Sequence, residues 1–108
     1  MELAKLYYER CDFEVAIAKF REAADAYFAE RSFEKYLKCQ NYLLRMYAER
    51  DESENIRETK ERLQDLVLKE GFELSAKTYY TLGICAHYKS QYDISLDYIQ
   101  KSLSMALA

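Results

Sequence analysis

The sequence predicts an all-α fold of helical hairpins, and three observations carry that expectation. The chain of 108 residues has no Pro and only two Gly, Gly71 and Gly83. A β-rich domain of this length needs many tight turns, whose backbone angles call on Gly, Pro or Asn, whereas helical hairpins need far fewer. Apolar residues recur at three- and four-residue intervals along much of the chain, the period of a helix buried on one face. Finally, sliding the start of the chain onto its end pairs Leu3 with Leu82, Ala4 with Gly83, Phe13 with Tyr92, Ala16 with Ser95, Ile17 with Leu96, Phe20 with Ile99 and Ala23 with Ser102. Large falls on large and small on small, the mark of an internal repeat.

About six helices follow in order. The first is expected from Glu2 to Arg10, with Leu3, Leu6, Tyr7 and Cys11 on one side. The second starts near Asp12 or Phe13 and runs to Glu30, its apolar stripe being Phe13, Ala16, Ile17, Phe20, Ala23, Ala24, Tyr27 and Phe28. Ser32 is placed to cap the third, although Lys35 leaves the capping box incomplete. That helix is apolar over much of its circumference (Tyr36, Leu37, Cys39, Tyr42, Leu43, Leu44, Met46, Tyr47) and should be the most buried.

A polar break at Arg50 to Ser53 precedes the fourth helix, where Asp51 followed by Glu54 resembles a cap signal. Its first turns are charged, and Arg57/Glu61 and Glu58/Arg62 have the four-residue spacing of ion pairs on a solvated face. Burial is expected only later, through Leu63, Leu66, Val67 and Leu68, before Gly71 ends the helix in the left-handed conformation. Ser75 opens the fifth helix, which reaches about Lys89, and the sixth runs from about Tyr92 to the end. No linker or low-complexity stretch divides the chain, so one domain of three helix pairs is expected, roughly 1–31, 32–71 and 72–108.

In the middle pair, Leu43, Leu44 and Tyr47 fall on Leu3, Ala4 and Tyr7, and Ile56 and Leu63 are in register, whereas Ser53 and Lys60 replace the aromatics expected in its second helix. Small residues such as Ala4, Gly83, Ala16 and Ser95 let paired helices approach closely. A single hairpin cannot bury both faces, so neighbouring hairpins must stack.

Tyr79, Leu82, Gly83, Tyr92, Ser95, Leu96, Ile99, Ser102 and Leu103 resemble one tetratricopeptide repeat, and Leu3, Ala4, Tyr7, Phe13, Ala16, Phe20 and Ala23 resemble part of another. The resemblance implies a right-handed α-solenoid of helical hairpins. Departures are visible. Ala86 replaces the motif's first-helix tyrosine, Ser90 stands where a turn glycine is common, the terminal proline is absent, and the period exceeds the usual ~34 residues.

Composition narrows the function classes. The formal charge is -3, and Lys and Arg are dispersed, so no basic stripe suggests a nucleic-acid partner. No apolar run approaches the ~18 residues of a membrane-spanning helix, and MELAKLYYER carries neither a basic start with an apolar stretch nor a small-residue cleavage site. Cys11, Cys39 and Cys85 have no CxxC pairing and lie among apolar neighbours, so they are expected as reduced core or half-core residues in a cytoplasmic protein. Those three and the single His87 fall short of a metal site. With no phosphate loop, HExxH motif or paired-carboxylate motif, the expectation is a non-enzymatic protein without cofactor.

The resemblance also implies a concave groove lined by the first helices of successive pairs. It would carry Lys5 and Tyr8 from the first pair, and Lys38, Asn41, Tyr42 and Arg45 from the second. The third would add Lys77, Tyr80, Thr81, Ile84, His87 and Tyr88. These side chains suit a peptide or partner helix, with a preference for an acidic or C-terminal segment. Tyr42 and Thr81 stand where the carboxylate-gripping arrays of the family need Asn and Arg, so that version is not expected. The last helix ends on an apolar run in which Leu103, Met105 and Leu107 are candidates for contact with further repeats or a second copy, and the chain reads more readily as part of a longer repeat protein. Two alternatives remain open: a regulatory domain, since Tyr79 to Leu107 resembles repeats of bacterial Rap-type and peptide-responsive regulators, and a structural, self-assembling repeat.

Overall fold

The computed structural model describes residues 1–107. It is helical, with α1 (Glu2–Glu9), α2 (Phe13–Ala29), α3 (Phe33–Glu49), α4 (Ser53–Glu70), α5 (Ala76–Tyr88) and α6 (Tyr92–Leu107), and no strand among the described residues. Close packing runs largely between neighbours: α1 on α2, α2 on α3, α3 on α4 and on α5, and α5 on α6. The central helix is α3, which buries Leu37, Cys39, Leu43, Leu44, Met46 and Tyr47. Phe20 of α2 and Leu63 and Leu66 of α4 close over it from either side.

Four of the five junctions use one turn. Cys11, Arg31, Asp51 and Ser90 all have positive φ, between 54° and 61°. In each case the left-handed residue and its successor donate backbone N–H bonds to the last turn of the preceding helix, as in Cys11 N to Tyr8 O and Asp12 N to Tyr7 O, both at 3.0 Å. This is the Schellman arrangement, here built on residues other than the usual glycine. The fold is therefore repeat-like at the level of its turns.

The α4–α5 junction differs. Gly71 takes φ 63° as the sequence predicts, and Phe72 to Ser75 follow as an irregular segment that tucks Leu74 into the core. Ser75 caps α5 through its side chain, accepting a bond from Thr78 N at 3.2 Å.

Several local expectations need correction. Ser32 sits at its predicted cap position but makes no side-chain cap bond, and α4 is preceded by Glu52 rather than by a capping Asp51, which is the left-handed turn residue. Cys11 lies exposed in the first turn instead of on an apolar helix face, whereas Cys39 and Cys85 are buried. Leu68 is 82% exposed; α4 turns Leu63 and Leu66 to the core, and a residue two places beyond Leu66 points away on a helix. On the charged face, Arg57 pairs with Glu54 at 2.7 Å and with Glu61 at 2.8 Å, while Glu58 and Arg62 form no ion pair among the described residues.

Helices α5 and α6 approach closely at Gly83. A Cβ on Gly83 would lie 2.7 Å from Ile99 Cγ1 and 3.3 Å from Ser95 O. Ser95 Oγ donates to Gly83 O at 2.8 Å, and Ser102 Oγ donates to Ala76 O at 2.7 Å. The small residues read from the repeat thus mark a real close approach.

Candidate functional site

One face of α3 presents Lys38, Asn41, Tyr42 and Arg45, because residues three and four apart share a side of a helix. Lys5 and Tyr8 reach the same place from α1, and Lys77 from the first turn of α5. Together these seven side chains line a cavity of about 370 Å³. Its wall is aromatic: Tyr42 stacks on Phe20 at 4.7 Å between ring centres, and Tyr8 meets the edge of Tyr42 at 5.2 Å. Phe13 lies against the other side of Tyr8 at 5.7 Å. These stacked rings bridge α1, α2 and α3 and give the cavity a stiff side.

Four cations surround it. Lys5 pairs with Glu2 at 3.5 Å, an exposed contact of little weight. Lys38, Arg45 and Lys77 enter no ion pair among the described residues. Asn41 is 5% exposed, yet its Oδ1 meets no hydrogen-bond donor among the described residues. A buried acceptor left without a donor costs about 1–3 kcal/mol. The cavity therefore combines unneutralised positive charge, a buried amide with spare hydrogen-bonding capacity and aromatic surface. That set suits a ligand with carboxylates and peptide groups.

The remaining groove candidates lie elsewhere. Tyr80, Ile84 and Tyr88 continue the Lys77 stripe along α5 but do not line the cavity. Ile84 is half-buried, and Tyr80 and Tyr88 are exposed. Thr81 is buried, and its hydroxyl donates to Lys77 O at 2.9 Å, so it faces the helix interior rather than the groove. His87 is exposed at the end of α5, with its ring 5.4 Å from Tyr92. At the other end, Leu103 and Leu107 are exposed and Met105 is half-buried.

The buried thiols are held in the protonated form. Burial pushes Cys85 up to about 11 against the opposing pull of Lys60 and Arg45, and its Sγ lies 3.5 Å from Leu44 O. Burial likewise raises Cys39. Among the described residues no group of three or more His, Cys, Asp and Glu could hold a metal, and no helix is long and apolar enough to cross a membrane.

The sequence reading missed a second cavity of about 370 Å³, between α4, α5 and α6. Its one signal was Lys60, a cation where the repeat register expects a bulky apolar residue. The chain matches none of the protein families, curated proteins or solved structures with which it was compared.

Proposed function

We propose that this chain is a tetratricopeptide-like binding module that holds an acidic, extended peptide segment in the α1–α3–α5 groove. The observation that carries the reading is the convergence of Lys5, Lys38, Arg45 and Lys77 on one cavity with the donor-less Asn41 Oδ1. Odd-numbered helices supply all seven lining residues, as expected where first helices of stacked hairpins form a concave face. The repeated turns and the packing of each helix mainly on its neighbours support the stacked-hairpin arrangement. Peptide carboxylates would meet the free cations, a peptide N–H would meet Asn41 Oδ1, and apolar side chains would lie on Tyr8 and Tyr42.

Titration with a pair of peptides, one Glu/Asp-rich and one with the amide counterparts, tests this. The acidic peptide should bind at least tenfold more tightly, and Lys38→Glu or Arg45→Glu should remove most of that preference. Each step from 50 to 200 mM salt should weaken binding, since exposed charges are screened. Equal binding of the two peptides, or binding indifferent to both substitutions, would refute the reading.

A second reading, self-association, rests on the apolar stripe left open on α6, where Leu96 and Leu103 are exposed and Leu107 is 78% exposed. Sedimentation velocity over a concentration series separates the two. A species that stays monomeric at high concentration removes the second reading, and a Leu103→Glu-sensitive dimer supports it.

A further inference from the structure

The two places where one hairpin meets the next are not alike. At the α2–α3 junction, aromatic rings fill the seam: Phe20 stacks on Tyr42 at 4.7 Å and Phe28 packs on Tyr36 at 5.3 Å. In the repeat register, Lys60 and Leu68 of α4 take the places of Phe20 and Phe28, and Thr81 and Ser75 take those of Tyr42 and Tyr36. All four rings are lost. The main packing of α4 is on α3, and a cavity of about 370 Å³ opens between α4, α5 and α6.

Its floor is apolar, formed by the buried Leu63, Leu74 and Leu82. Tyr79 and Tyr98 form one wall, with ring centres 6.4 Å apart. Two ammonium groups flank that wall: Lys60 Nζ lies 5.5 Å from the Tyr98 ring centre and Lys101 Nζ lies 5.2 Å from that of Tyr79. Neither lysine enters an ion pair among the described residues, and no carboxylate lines the cavity. The size falls within the range of small-molecule sites, which are mostly apolar with a few placed polar groups. The charge at its rim selects an anion, and the floor selects a hydrocarbon.

We propose that this cavity binds a free medium-chain carboxylate of the fatty-acid class, with its chain on the leucine floor and its carboxylate at Lys60. The ligand occupies the seam that rings fill in the preceding junction, and so ties α4 to α5 and α6. It is a site separate from the peptide groove, and its logic does not depend on that reading.

Isothermal titration with octanoate, decanoate and decanol, below the concentrations at which they aggregate, tests the assignment. Decanoate should saturate at one per chain, with octanoate weaker by about tenfold for the two missing methylenes. Decanol should bind at least fivefold more weakly than decanoate. Lys60→Met should bring decanoate down to the decanol level, and Lys60→Phe, which restores a ring to the seam, should abolish binding of both. Circular dichroism confirms that each variant is folded; if Lys60→Phe fails that check, Lys60→Met alone decides. The proposal is overturned by absence of saturable decanoate binding, by equal affinity for decanol with no effect of Lys60→Met, or by binding to anionic phospholipid vesicles without binding of free decanoate. Peptide binding is read by Lys38 and Arg45 and carboxylate binding by Lys60, so the two readings fail separately.

Discussion

At the scale of single residues, the turns hold the most local strain. Cys11, Arg31, Asp51 and Ser90 occupy left-handed backbone, which costs a residue with a Cβ roughly 1–2 kcal/mol. The Schellman bonds at each turn offset that cost, since they satisfy carbonyls that the helix end would otherwise leave open. Glycine would remove the steric part and keep the bonds. Ser90 is the cleanest place to test this, because it is exposed and its side chain makes no hydrogen bond, whereas Arg31 also pairs with Glu70. Ser90→Gly should raise stability by about 0.5–1 kcal/mol, the steric gain being partly offset by the looser unfolded chain. Urea denaturation at constant m-value measures it, and a lower midpoint would show that the turn is not strained. The sequence marked Ser90 as standing where a glycine is common, but it could not mark the other three. Their αL geometry comes from the return path of the chain, not from their side chains.

At the scale of elements, α5 and α6 show how small residues specify a pairing. The two helices come together where Gly83 faces Ser95 and Ile99, and the buried Ser95 hydroxyl is bonded to the Gly83 carbonyl. Adding one methyl at Gly83 forces Ile99 off its rotamer or parts the helices, and crowding of this kind costs about 1–3 kcal/mol. Ala is the better helix former by about 1 kcal/mol, so Gly83→Ala should lose up to about 2 kcal/mol net. Trimming the opposing side chain as well should recover part of it. A double-mutant cycle of Gly83→Ala with Ile99→Ala, which removes the opposing Cγ1, followed by denaturant midpoint, measures the coupling. Additive effects would mean that the close approach is relaxed in solution. This contact was legible because the repeat set small residues against small ones. The burial pattern of α4 was less so: its periodicity alone placed Leu68 inside, while the register of Leu63 and Leu66 on α3 turns it out.

At the scale of the whole molecule, stability should be graded along the chain. Helix α3 packs on α2, α4 and α5 and holds the densest core, whereas α1 packs chiefly on α2 and α6 on α5. Helix α1 buries only Ala4 and α6 only Ser95 to the level of the core. The number, order and approximate ends of the helices were legible because periodicity and stop residues are local. So was the convergence of Lys5, Lys38, Asn41 and Arg45 on one cavity, since three- and four-residue spacing fixes which residues share a helix face. The cavity beside Lys60 was not legible as such, because it depends on how far α4 stands from α5 and α6, a distance set by four absent rings rather than by any residue present. Chains held together through near neighbours open from their ends, in units whose free energies span zero to the global value. Amide hydrogen exchange should therefore show α3 exchanging only through global unfolding, with α1 and α6 exchanging at least tenfold faster. Leu44→Ala, in the middle of α3, should cost about 2–5 kcal/mol, and should lower protection most in α3, which reports the global value, and less in α1 and α6, which open locally. Leu103→Ala, on an exposed face of α6, should change little beyond α6 itself. Uniform protection from α1 to α6, lowered equally everywhere by Leu44→Ala, would show that the helices unfold as a single cooperative block. That result would remove the graded, nearest-neighbour picture.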